Sequence, residues 1–287
     1  MVVTGIASGG VVKDAFKLFK EVLNEYFKHM EQSIHPCSLV GICDQVHWSL
    51  PKKLGTILLP GELVLLAGSE GIGKTFLAVQ VAIDIASQGG RVLYLSPIVP
   101  NHILLKIAMA QHSRIPLSDL SAGTLEDEQW VQLYEAACRL EKIPCIFNDS
   151  RDVTLEGIAA SCSAANAEQQ LALIVIDARS LPRETSTASG PVFKGLAEQL
   201  NSPILVLSSL PLPGAGQLED MHCHIPAGVD SLVTLHSFNH GTVSAQIRSR
   251  HGVTRDDMAI SRVCGNTGTW GAIVAWKSQL KAPDSVQ

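Results

Sequence analysis

The sequence predicts an α/β fold: a mostly parallel sheet with helices on both faces, an antiparallel C-terminal extension, and an amphipathic helical arm in front. From Leu63 onward, short apolar runs rich in β-branched residues alternate with stretches of helical length. Runs that are apolar on both faces and joined by crossovers describe parallel strands buried on both sides. Beyond Asp230 the runs follow one another without helices between them, which is the pattern of antiparallel strands. With 287 residues, one wound domain plus an appendage accounts for the chain.

The arm comes first. Val12, Phe16, Phe19, Leu23, Tyr26 and Met30 recur three and four apart, with Lys13, Lys17, Lys20, Glu21 and Glu25 between them, so one narrow face of a helix is apolar. Ser33 to Gly61 contains Pro36, Pro51 and Pro60 and keeps no period, as expected of a linker. Core strands are expected at Leu63 to Ala67, Arg91 to Leu95, Cys145 to Phe147, Leu171 to Ile176 and Pro203 to Leu207. Helices fill 74–88, 101–113, 125–141, 153–167 and 191–200. Four strands follow, near 231–236, 243–250, 257–263 and 271–276.

Composition excludes several classes. Charged residues make up 17% and hydrophobic ones 46%, against roughly 25% charged in an ordinary soluble domain, which rules out disorder and favours self-association. A net charge of −5 removes the strongly basic footprint of a dedicated duplex binder. Seven cysteines without a C-x-x-C spacing, and no basic-then-apolar leader, predict a cytoplasmic protein with free thiols. The longest apolar runs are far short of the roughly 20 residues a membrane helix needs, so no membrane association is expected. His222-Cys223-His224 is a row of metal-capable side chains, but zinc draws its ligands from separated pairs, and no metal is assigned there. Cys138, Cys145 and Cys162 fall in predicted element interiors and read as buried small apolar residues.

One motif carries chemistry. Gly68-Ser69-Glu70-Gly71-Ile72-Gly73-Lys74-Thr75 satisfies G-x-x-x-x-G-K-[ST] between an apolar strand and a helix. Gly68, Gly71 and Gly73 allow backbone N–H groups to turn inward around phosphates, and the helix N-terminus adds partial positive charge. Lys74 is expected to reach the β- and γ-phosphates of ATP, and Thr75 to offer its hydroxyl to Mg²⁺. Asp177, closing the run Leu171 to Ile176, stands where an acid holds Mg²⁺ through water. Glu70 is an oddity in such a loop, since a carboxylate beside a triphosphate is repulsive unless it points to solvent.

With these two motifs in place, the chain resembles the RecA-like motor domain of the DnaB-type replicative DNA helicases over roughly residues 11 to 276. The arm and linker, Asn148-Asp149-Ser150, Val206-Leu207-Ser208-Ser209 and Arg248-Ser249-Arg250-His251-Gly252 support the resemblance. It implies a RecA-like P-loop NTPase core at 61–287, behind an arm at 1–32 and a linker at 33–60. The family implies a homo-oligomeric ring, up to a hexamer, in which the arm packs on the adjacent subunit. Arg248 and Arg250 match the family's basic pair that reaches the neighbour's γ-phosphate. Their spacing of two puts both guanidinium groups on one face of a strand. Single-stranded DNA and replication proteins are the implied partners, ATP with Mg²⁺ the implied cofactors.

The chain also departs from the family. Where members carry a water-activating glutamate, Leu95-Ser96-Pro97-Ile98-Val99-Pro100 offers Ile98, and isoleucine cannot take a proton. General-base action contributes roughly 10²- to 10⁴-fold, so slow hydrolysis is expected. The family's γ-phosphate-sensing glutamine aligns with Ser209. Ala178 to Gly190 and Pro211 to Gly228, the segments that should face DNA, hold only Arg179 and Arg183 between them as basic residues. Binding of a single strand depends on phosphate neutralisation and stacking, and these segments are poor in both. The expectation is therefore a degenerate, nucleotide-binding relative, regulatory or structural in replication, with hydrolysis and translocation impaired. Two alternatives stand beside it: an active ATP-dependent replicative helicase in which Ile98 is compensated, and a RecA-like ATPase that acts on protein partners only.

Overall fold

The structure is a computed structural model that describes residues 16–18, 57–150, 154–178, 183–209, 225–238, 242–250, 258–264 and 270–277. Their strands form a ten-stranded sheet in the order β1-β4-β3-β5-β6-β2-β7-β8-β9-β10. In chain order these are β1 (Phe16–Leu18), β2 (Leu63–Gly68), β3 (Val92–Leu95), β4 (Cys145–Asn148), β5 (Leu173–Asp177), β6 (Ile204–Ser209), β7 (Ser231–Phe238), β8 (Thr242–Ser249), β9 (Met258–Cys264) and β10 (Trp270–Lys277). Strands β4, β3, β5, β6, β2 and β7 run parallel. Strand β1 and the set β8, β9 and β10 pair antiparallel at the two ends. The helices are α1 (Lys74–Ser87), α2 (Asn101–Ser113), α3 (Leu117–Ala122), α4 (Asp127–Leu140), α5 (Leu155–Glu168) and α6 (Arg183–Leu200).

The period of two along the parallel strands decides which residue meets which helix layer. Val64 and Leu66, Val92 and Tyr94, Cys145 and Phe147, Leu173 and Val175, and Leu205 and Leu207 join a core with α1, α2, α3 and α4. Their alternates Leu63, Leu93 and Leu95, Ile146, Ile174 and Ile176, and Ile204 and Val206 pack with α5 and α6. Both faces of these strands are thus apolar, which is why their sequence reads as unbroken hydrophobic runs. Tyr94 and Phe147, both fully buried, meet edge to face with ring centroids 5.9 Å apart.

Several expectations change. Phe16–Leu18, inside the run read as a helical arm, is strand β1 against β4. The triplet Phe-Lys-Leu alternates apolar and polar, so it satisfies period two as well as the three-and-four spacing of a helix. The rest of the arm at 1–32, and the linker as far as residue 56, lie outside the described residues. Ile57 already belongs to the core. Strand β7 is parallel to β2, so the antiparallel extension begins one strand later than expected, at β8. Helix α6 starts at Arg183 rather than 191 and carries Pro191 in its interior. A proline reads in sequence as a helix start because it lacks the N–H that a first turn leaves unpaired. Helix α3, six residues long, had no periodic signal of its own.

One polar group in this core has a measurable cost. Asp84, on the buried side of α1, accepts a hydrogen bond from Gln80 Nε2 at 2.9 Å. Burial raises its pKa from 3.8 to about 7, with the Gln80 bond acting weakly in the other direction. A carboxyl whose folded-state pKa is raised contributes stability in full below its unfolded value and loses it as pH rises through the folded one. Asp84→Asn, which keeps an acceptor for Gln80, is therefore expected to gain stability over wild type progressively from about pH 4 to pH 7. The gain should then level off at about 4 kcal/mol at most, as read by urea denaturation across pH.

Candidate nucleotide site

The carboxyl edge of the parallel strands gathers the residues that the motifs singled out. Gly68 ends β2 and pairs with Ser209 on β6 and Leu235 on β7. Asp177 ends β5, level with Leu207 on β6, which is itself level with Leu66 on β2. Asp177 continues the series Leu173 and Val175 that faces α1, and it is buried at 1% exposure. Asp177 thus sits on the α1 face of the sheet, one strand removed from the loop. The switch in strand direction of travel falls between β2 and β5, with β6 between them, where open α/β sheets bind ligands.

The loop has the backbone that its glycines allow. Gly71 has φ +71 and Gly73 φ +109, both in the region that L-residues rarely adopt. Gly68 is needed for a different reason: a Cβ there would lie 3.0 Å from Ile72 Cγ2 and 3.1 Å from the Leu235 carbonyl oxygen. Gly73 is the N-cap of α1 and has no side chain with which to cap it, and the first turn of the helix holds no acid. With no acid in that turn, the positive end of the helix dipole favours an anion. Lys74 is buried and its Nζ donates to the Gly68 carbonyl at 2.8 Å and the Ser69 carbonyl at 2.7 Å. Glu70 is exposed, so its carboxylate stays in water, as the loop requires. Thr75 follows at the second position of α1.

The turn after β3 is built to hold its shape. Ser96 is fully buried, donates its N–H to the Asn148 carbonyl at 2.8 Å, and accepts at Oγ from Val99 N at 3.2 Å. Ile98, at the tip of this turn, is 49% exposed. Asp149, the nearest acid in sequence to the end of β4, accepts from Asn101 N at 3.1 Å, at the start of α2. Asn148 Oδ1 in turn accepts from Ser150 N at 2.8 Å. Ser96 and Asp149 fix this loop, and short side-chain-to-backbone bonds of this kind have no sequence signature beyond residue type.

Arg248 and Arg250 lie elsewhere. Arg248 is opposite Leu232 near the start of β7, and Arg250 N donates to the Asp230 carbonyl at 2.9 Å. Asp230 N donates to the Leu63 carbonyl at 2.9 Å, which places Arg250 at the amino end of β2. Five residues of strand separate that point from Gly68, about 17 Å at the usual rise. Ala245 and Ile247 belong to the core on the α1 side, so Arg248 and Arg250 alternate onto the other face. The structure does not bring the two arginines to the phosphate loop of their own chain. Cys145 and Cys162 are buried as expected, whereas Cys138 is half-buried. His222-Cys223-His224 and the body of Pro211 to Gly228 as far as residue 224 lie outside the described residues, and no group of three metal-capable side chains occurs among the described ones. No described helix is long and apolar enough to cross a membrane.

A glycine-lined loop between strand and helix, a lysine at its end and an acid closing the strand after next define the RecA-like class of P-loop NTPase folds. Residues 52–213 match the family model of the DnaB-like helicase C terminal domain, and the chain belongs to that family. Among its relatives are the replicative DNA helicase DnaB of Nostoc sp. (strain PCC 7120), 29% identical over 160 residues, and that of Leifsonia xyli subsp. xyli, 25% identical over 165 residues. A probable plasmid replicative DNA helicase of Chlamydia trachomatis is 29% identical over 165 residues. These matches cover 52%, 53% and 54% of this chain but only 18%, 36% and 37% of the relatives. Two solved structures share the fold, each at a TM-score of 0.62. One, described as an "ATPase Domain", is 15% identical, with 89% of this chain and 96% of that one covered. The other, "The Structure Of A DnaB-Like Replicative Helicase And Its Interactions With Primase", is 16% identical, with 85% of this chain and 64% of that one covered.

The loop backbone itself is testable. Nothing lies within 4 Å of a Cβ built on Gly73, so a substitution there is opposed by φ alone. Gly73→Val is expected to destabilise by about 1–3 kcal/mol, and Gly73→Asn by less, because asparagine tolerates positive φ better than a β-branched residue. Chemical denaturation of the two variants beside wild type provides the comparison; equal costs would mean that crowding, not backbone, is responsible.

Proposed function

We propose that this chain binds ATP with Mg²⁺ at Gly68, Gly71, Gly73, Lys74 and Thr75, assembles into a ring of identical subunits, and serves DNA replication with hydrolysis and translocation impaired. The observation that carries this reading is the turn beyond β3. Its tip is Ile98, half exposed, with no titratable atom. The neighbouring carboxylate of Asp149 is already engaged by the backbone of α2. Phosphate binding is supported, in contrast, by a glycine-capped helix N-terminus without an acid in its first turn, glycines at positive φ and a buried lysine at the loop.

Each residue then has a role that its position supports. Lys74 would exchange the Gly68 and Ser69 carbonyls for phosphate oxygens, trading two neutral acceptors for charged ones. Thr75 and Asp177 would hold Mg²⁺, whose charge offsets that of the triphosphate. Asp177 closes a strand on the α1 face, where a carboxylate can address a metal beside the loop. Arg250, about 17 Å along the strand direction from its own loop, and Arg248, level with Leu65 and about 10 Å along it, would serve the nucleotide of an adjacent subunit. That role exists only in an oligomer. With no proton acceptor at 98, bound ATP works as a structural ligand of the ring rather than as fuel, and the arginines stabilise the assembly more than a transition state.

Four measurements test this. Lys74→Ala is expected to abolish binding of a fluorescent ATP analogue, and normal affinity would refute the loop assignment. Steady-state ATPase with and without single-stranded DNA should show turnover lower by roughly 10²- to 10⁴-fold than general-base catalysis supports. DNA-stimulated turnover of order 1 per second, typical of working enzymes, would establish an active helicase instead. Ile98→Glu is expected to raise turnover by at least tenfold, toward that same range. Nucleotide-dependent assembly without any DNA effect would favour an ATPase acting on protein partners alone.

A further inference from the structure

Resting on the reading that Arg250 serves a neighbouring subunit's nucleotide, we infer that Lys194 and Asp230 are positioning residues for Arg250, acting through the turn Pro226 to Asp230. Arg250 is held at both ends by that one turn. Its backbone N–H donates to the Asp230 carbonyl at 2.9 Å, and its guanidinium Nη2 donates to the Pro226 carbonyl at 3.0 Å. Val229 N also donates to the Pro226 carbonyl, at 3.1 Å, which closes the turn on itself. A guanidinium has five N–H donors in a rigid plane, so one bond to a carbonyl orients the fork and leaves the others for an anion. Arg250 is exposed.

The turn is fixed to α6 by two contacts one helical turn apart. Gly228 has φ +81, and a Cβ there would lie 2.5 Å from the Gly190 carbonyl carbon and 2.6 Å from Pro191 N. A Cβ on Gly190 would lie 2.3 Å from the Ala227 carbonyl oxygen, so the two segments meet backbone to backbone and neither glycine admits a side chain. Four residues along α6, on the same face, Lys194 Nζ reaches Asp230 Oδ2 at 2.9 Å. The same carboxylate oxygen accepts from Leu63 N at 2.8 Å in a buried bond, and Lys194 Nζ donates also to the Gly61 carbonyl at 2.8 Å. The Asp230 carboxylate thus ties the entrance of β2, the side of α6 and the start of β7 together at the point from which Arg250 departs. Surface ion pairs are worth little on their own, but this one shares its acceptor with a buried backbone donor, so its loss is felt by the backbone that carries the arginine.

A double-mutant cycle tests the assignment, with Arg250→Ala, Lys194→Met and their combination, and with Asp230→Asn as a second route that keeps an oxygen for Leu63 N. The readout is the affinity of the full chain for a fluorescent ATP analogue, at a protein concentration where light scattering shows the wild type assembled. Arg250→Ala is expected to weaken binding about tenfold or more, as loss of a charge-assisted hydrogen bond does. Lys194→Met and Asp230→Asn should each weaken it about three- to fivefold, and neither should weaken it further once Arg250 is alanine. A residue that merely stabilised the fold would add its full effect in the Arg250→Ala background, and that additivity, or no effect of either positioning variant alone, overturns the inference while leaving the reading of Arg250 intact. No loss of affinity in Arg250→Ala itself overturns both.

Discussion

A buried ammonium must be paired, and the way Lys74 is paired organises the site. Its acceptors include the carbonyls of Gly68 and Ser69, the last residue of β2 and the first of the loop. Those carbonyls point at the lysine only because the chain reverses through positive-φ glycines and re-enters as α1, which puts Lys74 at the first helical position. The strand must therefore end at Gly68, where a Cβ would crowd Ile72 and Leu235 on β7 at 3.0–3.2 Å. Strand, loop and helix are thus one unit. An ammonium held by neutral carbonyls is poised to prefer charged oxygens, so the same contacts that satisfy Lys74 without a ligand make it responsive to one.

That unit is supported by the sheet's parity. Because odd and even residues of the parallel strands serve different helix layers, Asp177 falls on the α1 face as a consequence of Leu173 and Val175 doing so. A slip of one residue in β5 would send the acid to the opposite layer and expose a whole apolar series, which is why the register is strongly specified. Functional placement at the carboxyl edge is in this sense inherited from core packing.

Much of this was legible in the residues. The loop was readable because its constraints are local: positive φ, a helix start and a lysine fall within eight residues. The parallel strands were readable because burial on both faces leaves continuous apolar runs. Pro191 misled, because its meaning as a helix start is a matter of position and tertiary packing overrode it. The run through Phe16–Leu18 misled because three residues satisfy two periods at once. The Lys194 to Asp230 pair could not be read at all. Its partners are 36 residues apart in sequence, and what brings them together is a glycine-to-glycine approach that no periodicity records.

On the function proposed above, the same geometry would make one chain an incomplete nucleotide site. The phosphate loop sits at the carboxyl edge of β2, and the paired arginines leave the sheet near its amino edge, on the other face. Rearranging a single subunit to bring them together would mean breaking the β2–β7 and β7–β8 ladders, whose pairing runs from the start of β7 past Leu235. A second copy placed edge to edge avoids that cost, because the amino edge of one sheet can then face the carboxyl edge of the next. Such a contact is head-to-tail, and head-to-tail contacts close into rings or run on as filaments according to the rotation between subunits. The low charge content of the chain makes that association cheap in desolvation. Holding Arg250 at both ends by one turn would reduce the entropy lost if, as proposed, it meets a neighbour's phosphate.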